Sequence, residues 1–251
     1  MKRIFVLLFF VSSCVLANST FLEALKSFQD KDFPAAEKHY VTLLKENPED
    51  PALLTNMGLT QWELQKKGAA LGYFRHALNV NPSFEPALKA LNYSLSQFPI
   101  ETPTHDSVMT EWLHENIFVT ISTWGLALVH LFTFVGLFWC LLNLAKRKQD
   151  DGRPTAGLLV MISVFGVLWI LSLAVLILKV ADQMKVRGTV IVNSTSAMAL
   201  PDPKSVPLLE LKEGVDVVVR QTQKDWVQVN FPGAASGWIP ASNLYIHQKG
   251  M

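Results

Sequence analysis

The chain has 251 residues, of which half are hydrophobic and only 17% charged, with a formal net charge of +1 and a mean hydropathy of +0.25. A soluble domain carries roughly a quarter of its residues as charges, so this composition excludes a single soluble globule, and the near-zero net charge excludes a global basic field for nucleic acid. The two cysteines, Cys14 and Cys140, both lie in apolar segments, which excludes a disulfide framework and a CxxC metal or redox pair.

The chain opens Met1-Lys2-Arg3, continues through the apolar run Ile4–Val11 and reaches Ser12-Ser13-Cys14-Val15-Leu16-Ala17. A basic start, a short apolar core and a small residue at the end predict a signal peptide over 1–17, cleaved between Ala17 and Asn18. The stretch is too short for a good spanning helix. Val11-Ser-Ser-Cys14 also loosely resembles a lipobox, which would make Cys14 a lipidated first residue; the competing reading is a cysteine in a discarded peptide.

From 18 to 98 the chain is self-similar at a spacing of 34 residues. Ala24, Phe28, Ala36, Tyr40, Leu44, Asn47 and Pro48 recur as Gly58, Trp62, Ala70, Phe74, Leu78, Asn81 and Pro82. Each unit predicts a first helix carrying a small residue, where a neighbour can approach closely. A second helix places Ala and an aromatic four apart on one face, and Asn-Pro ends it. These residues resemble the tetratricopeptide repeat, with units at about 18–50 and 51–84 and a capping helix at 85–98. Two units and a cap are few for a solenoid, so a partner or the membrane is expected to help hold the module. The resemblance implies a peptide-binding groove on the first helices, lined by Phe21, Leu25, Phe28, Thr55, Asn56, Leu59, Trp62 and Glu63; core packing is the competing role for the repeat-defining residues. The Lys/Asn set that such repeats use to clamp a C-terminal carboxylate is mostly absent. Phe21, Leu25, Pro86 and Ala90 stand in those places and only Asn56 fits, which favours an apolar peptide.

Residues 99–115 hold a linker, Pro99–His105 with two prolines, followed by Asp106–Glu115, which reads as an amphipathic helix lying on a membrane surface. Two apolar segments follow, predicted as transmembrane helices over 116–145 and 155–179, since each exceeds the roughly 20 residues that cross the hydrocarbon core. Between them 146–154 carries Lys146, Arg147, Lys148 and Arg153, and the positive-inside rule keeps this short loop in the cytoplasm. The signal peptide puts the N-terminal module outside, so both signals predict a hairpin with both termini outside. His130 lies mid-span, where an ionisable group is a functional candidate; a neutral polar contact between helices is the competing role.

From 186 to 251 the pattern becomes strand-like. Thr189–Val192, Val215–Arg220, Trp226–Asn230 and Gly237–Ile239 are short β-rich runs, and about five strands in so short a segment predict a small barrel. Ala197–Asp202, Leu211–Gly214, Asp225–Val229 and Gly237–Leu244 resemble a bacterial SH3 domain. That resemblance implies a groove lined by Trp226 and Pro240, with strand packing as the competing role for Trp226, while Trp238 is expected in the core. Met198, Leu200 and Pro201 replace the paired aromatics that clasp polyproline.

No Walker loop, GxGxxG, GxSxG or HExxH is present. None of His39, His76, His105, His114, His130 and His247 has ligand spacing to a second donor on one element. No enzyme activity, catalytic residue, cofactor or metal is therefore expected. The fold class is a multi-domain membrane protein: an all-α repeat solenoid, a two-helix transmembrane hairpin and an all-β SH3-like barrel. In that order the modules resemble the E component of the bacterial aerotolerance (Bat) operon. The resemblance implies a non-enzymatic inner-membrane scaffold, multi-pass, with both modules in the periplasm. Its implied partners are von Willebrand-type Bat proteins and other membrane or periplasmic proteins, with a MoxR-type ATPase, in envelope or oxidative stress. The alternative is an envelope-sensing or cell-wall anchor whose SH3-like domain binds peptidoglycan.

Overall fold

The computed structural model describes residues 19–98, 100, 122–149, 153–230 and 236–247. The expected signal peptide with Ala17 and Asn18, Cys14, and the linker and interfacial helix apart from Ile100 lie outside the described residues. The chain divides into two compact units: one contains the N-terminal helices together with the β-rich C-terminal segment, and the other runs Met109–Lys185.

Helix α1 (19–29) is followed by α2 (Phe33–Glu46), α3 (Pro51–Glu63), α4 (Lys67–Val80) and α5 (Glu85–Gln97). The ends of these helices are written locally. Asp32 accepts from the Ala35 amide at the start of α2, and Asp50 accepts from the Ala52 and Leu53 amides at the start of α3, satisfying donors that the first turn leaves without partners. Lys31 and Gln65, equivalent positions in the two units, both take a left-handed backbone, with φ of 62° and 63°, and so reverse the chain between first and second helix. The spacing of small and aromatic residues becomes packing. Ala24 of α1, Ala36, Tyr40 and Leu43 of α2, and Leu53 and Met57 of α3 form one buried cluster. Leu54, Ala77, Leu78 and Ala87 form a second, and Leu44 and Tyr73 pack against both. A Cβ on Gly58 would stand 2.5 Å from the Phe74 ring, so the glycine is what lets α3 and α4 close on each other. Glu37 of α2 ties the first unit to the second, accepting from Gln61 at 2.8 Å and Lys66 at 2.8 Å. Burial pushes the Glu37 carboxyl up, but these two donors outweigh it and hold it below its ordinary value.

Seven strands follow: β1 (Val186–Val190), β2 (Ser194–Met198), β3 (Pro207–Lys212), β4 (Asp216–Gln223), β5 (Trp226–Asn230), β6 (Ser236–Pro240) and β7 (Leu244–His247). They form one sheet in the order β3-β2-β6-β5-β4-β1-β7, with every pairing antiparallel. Alternation sends Val227 and Val229 of β5 inward and leaves Trp226, Gln228 and Asn230 half-exposed. Val190, Ala197, Leu211, Val217, Val227, Ile239 and Leu244, one from each strand, meet in a single buried cluster, so the sheet curls around one core. The expectation of about five strands is therefore corrected to seven. β2 and β3 escape a hydropathy pattern because their inward residues, Thr195, Ala197 and Leu211, are few and partly polar. Trp238 is buried, as expected, at 7% exposure.

In the second unit, α6 (Thr123–Gln149) and α7 (Ala156–Gln183) are both long and apolar enough to cross a membrane. They pack antiparallel: His130 Nδ1 lies 3.0 Å from Ser172 Oγ, while a Cβ on Gly136 would strike the Phe165 ring. Two expected boundaries move. Lys146, Arg147 and Lys148 form the last turn of α6 rather than a loop, where cations favour the negative end of the helix dipole. Helix α7 runs past 179 to Gln183, so only Met184 and Lys185 separate it from β1. His130 makes a polar contact between the helices: it bonds Ser172 and stacks on Trp169 at 5.7 Å. Changing His130 to Ala is expected to cost the hairpin about 1 kcal/mol, measurable as helix separation by steric trapping in bicelles.

Candidate functional site: two exposed surfaces and a buried polar junction

The residues expected to line the repeat groove divide by burial. Leu59 is 36% exposed, Glu63 is exposed, and Leu25, Asn56 and Trp62 are half-exposed. Phe21 and Phe28 lean on the α1–α3 core, Phe28 meeting Phe33 edge-on at 5.4 Å. Thr55 is buried, and its hydroxyl donates to the Pro51 carbonyl at 2.6 Å, so it serves the helix rather than an open surface. The Lys67 ammonium sits 3.7 Å from the centre of the Trp62 ring, making a cation–π lid on that side chain. Two exposed residues extend this surface: Leu22 of α1, at 64%, and Tyr93 of α5, at 62%. Leu25, Leu59 and Tyr93 recur at the 34-residue spacing, one on each of α1, α3 and α5.

On the sheet, Trp226 of β5 and Pro240 of β6 are direct cross-strand partners, both half-exposed, so the structure brings these two expected residues together. Met198 pairs with Trp238 across β2 and β6. Beyond it, Leu200, Val206 and Leu208 stand exposed at 64%, 68% and 52%.

A third feature was not expected from the sequence. The face of α4 opposite Phe74 packs on β1 and β7 through Gly68, Gly72, Arg75, His76 and Asn79, spaced as one helical stripe. The two glycines make room: a Cβ on Gly68 would run into the Val190 carbonyl, and one on Gly72 would stand 2.8 Å from the Tyr245 ring. Helix α4 has no side-chain cap of its own; Glu213, from the turn between β3 and β4, accepts from the Gly68 amide at 2.6 Å instead. Arg75 Nη1 donates to Thr189 Oγ1 at 3.0 Å and to the Gly214 carbonyl at 2.8 Å. Gly214 holds φ at +85°, in the region glycine occupies without strain. Arg187 donates to Asp216 at 3.2 Å. His76 Nδ1 lies 2.9 Å from the Tyr245 hydroxyl, while His247 lies between Asn79, at 3.3 Å, and Thr189, at 3.0 Å. The His76 and His247 rings stack at 6.3 Å, and Tyr73 meets Tyr245 at 4.5 Å.

The electrostatics follow from this packing. Burial would raise the Asp216 carboxyl, but Arg75, His247 and Arg187 outweigh it and hold it below the usual carboxylate range. Burial pushes His247 down to about 3, resisted by Asp216 and reinforced by Arg75, His76 and Arg187. Burial, with Tyr73 adding to it, raises Tyr245. The one hint in the sequence was the pair of glycines four apart inside a predicted helix, each costing about 1 kcal/mol against alanine. Such a cost calls for a closely approaching neighbour. Among the described residues, no group of three or more His, Cys, Asp or Glu is arranged to hold a metal ion.

No family model matches the chain, and no curated protein matches it. Among solved structures, the chain is similar to one in the "TPR2B-domain:pHsp70-complex of yeast Sti1", at 25% identity and a TM-score of 0.31. That likeness covers 32% of this chain and spans 65% of the length of the other.

Proposed function

We propose that this protein is a non-enzymatic scaffold of the bacterial inner membrane, holding other membrane or periplasmic proteins through two recognition surfaces. The observation that carries this reading is the apolar row of Leu25, Leu59 and Tyr93 at equivalent repeat positions on α1, α3 and α5, with Leu59 and Tyr93 exposed, on helices other than the one that meets the sheet. Contiguous exposed apolar side chains mark surfaces that another molecule covers, and an extended or helical apolar peptide suits this row. On this reading α1–α5 form a tetratricopeptide-repeat module, supported by the burial of Ala36, Tyr40, Ala70 and Phe74 at matching positions. The curled sheet is an SH3-like barrel whose groove is the Trp226–Pro240 pair. Helices α6 and α7 cross the membrane with their basic connection in the cytoplasm, following a signal peptide at 1–17, and both modules lie in the periplasm. The module order supports a place beside von Willebrand-type Bat proteins and a MoxR-type ATPase in envelope or oxidative stress.

Crosslinking in membranes tests this. The scaffold reading expects co-recovery of other membrane proteins, reduced several-fold by Trp62→Ala or Trp226→Ala; recovery untouched by both variants would count against both surfaces. The second reading, a cell-wall anchor, takes the half-exposed Trp226–Pro240 pair of the sheet as a surface for peptidoglycan. It expects retention of the intact protein on purified peptidoglycan, which a pure protein scaffold would not show.

A further inference from the structure

We propose that the α4–sheet junction is an acid-sensitive latch, in which His247 must be neutral for the helical and β-rich modules to stay docked. The geometry sets the demand. Every element packed around His247 brings polar or charged groups: Arg75, His76 and Asn79 from α4, Arg187 and Thr189 from β1, Asp216 from β4 and Tyr245 from β7. The Arg75 and Arg187 guanidinium groups both act on the Asp216 carboxylate, while Glu213 lies at the far end of the junction, at the Gly68 amide. His247 is 4% exposed, and its ring nitrogens meet the Asn79 amide and the Thr189 hydroxyl rather than a carboxylate, so a proton on its ring would be a buried charge without a counter-ion in direct contact. Neutral His247 fits because each ring nitrogen meets a group able to complete its tautomer: the Asn79 amide donates to Nδ1, and Nε2–H donates to the Thr189 hydroxyl.

The direction of the pH effect follows from proton linkage. A base whose docked value lies below its free value takes up a proton on opening, so docking is fully supported above the ordinary histidine value of 6.5 and weakens as pH falls toward about 3. Asp216, held low while docked, acts in the same direction but only at more acid pH. Between pH 7 and pH 5 the linkage on His247 alone raises the opening equilibrium about 20-fold. The inference does not depend on which partner the exposed surfaces bind.

Hydrogen–deuterium exchange on the full-length protein in nanodiscs tests it, with intrinsic exchange rates corrected for pH. The expected result is about a 20-fold loss of protection in α4 and β1 between pH 7 and pH 5, with α2 and β5 unchanged. His247→Gln, which cannot be protonated, should flatten that dependence, while His76→Gln should leave most of it. A flat wild-type profile, a simultaneous loss of protection throughout the unit, or a His247→Gln profile as steep as wild type would each overturn the latch. Should His247→Gln prove open already at pH 7, the wild-type and His76→Gln profiles decide: a rise of that size in both supports the latch, and its absence from either overturns it.

Discussion

Gly72→Ala is expected to destabilise the docked unit, although the same change in an ordinary helix interior would stabilise it by about 1 kcal/mol. The sign reverses because the added carbon would stand 2.8 Å from the Tyr245 ring, closer than packed carbons approach. Gly72→Leu should cost about 3 kcal/mol, at the upper end for overpacking, and separate α4 from β7. Thermal unfolding of the unit that holds α4 and the sheet, followed by circular dichroism, checks both variants. In a unit of this size, a loss of about 3 kcal/mol lowers the melting temperature by roughly 6–12 °C. A gain of stability in Gly72→Ala would mean that α4 and Tyr245 do not meet in solution.

The second large effect belongs to Arg75. Arg75→Ala removes donors to Thr189 and to the Gly214 carbonyl, together with the cation that most offsets burial of Asp216. A loss of about 2–3 kcal/mol follows from these charge-assisted bonds. The pH dependence should change with it. A carboxylate held low in the folded state supports folding above its unfolded value, and that support fades as pH falls through the folded value. Without Arg75 the Asp216 value rises, so acid unfolding should begin at higher pH than in wild type, as a urea titration at stepped pH would show. Arg75→Lys should rescue little, because a flexible, shorter stem does not hold its ammonium at the position of Nη1, where one nitrogen meets both acceptors.

Helix α4 shows why a reader of the sequence meets only half of this protein's architecture. Its inner face, Ala70, Phe74, Ala77 and Leu78, follows the helical period and is buried as that period demands. Its outer face reads as an ordinary solvated stripe of Gly68, Gly72, Arg75, His76 and Asn79, yet Gly68, Gly72 and His76 are buried as well. The need for something to steady a short repeat module was legible, but the expectation named an external partner or the membrane. The structure supplies the chain's own sheet, through Glu213, Gly214, Thr189, Tyr245 and His247. Likewise Thr55 matched a groove position by its repeat spacing, but periodicity does not distinguish a ligand-facing hydroxyl from one bonded back to Pro51.

The sequence by itself determined what depends on near neighbours along the chain: the 34-residue helix pairs, the Asn-Pro stops that end them, two apolar segments of spanning length, and the β-rich character of the C-terminal segment. Each rests on a period, a turn residue or a run length within a few turns of one element. Only the tertiary structure decided that α4 and the sheet share an interface. The groups that make it, His76 and Tyr245 or Arg75 and Thr189, lie 169 and 114 residues apart. Contacts at such separations leave no periodic trace, and their strength comes from burial, which removes water from charges that look solvated in the sequence.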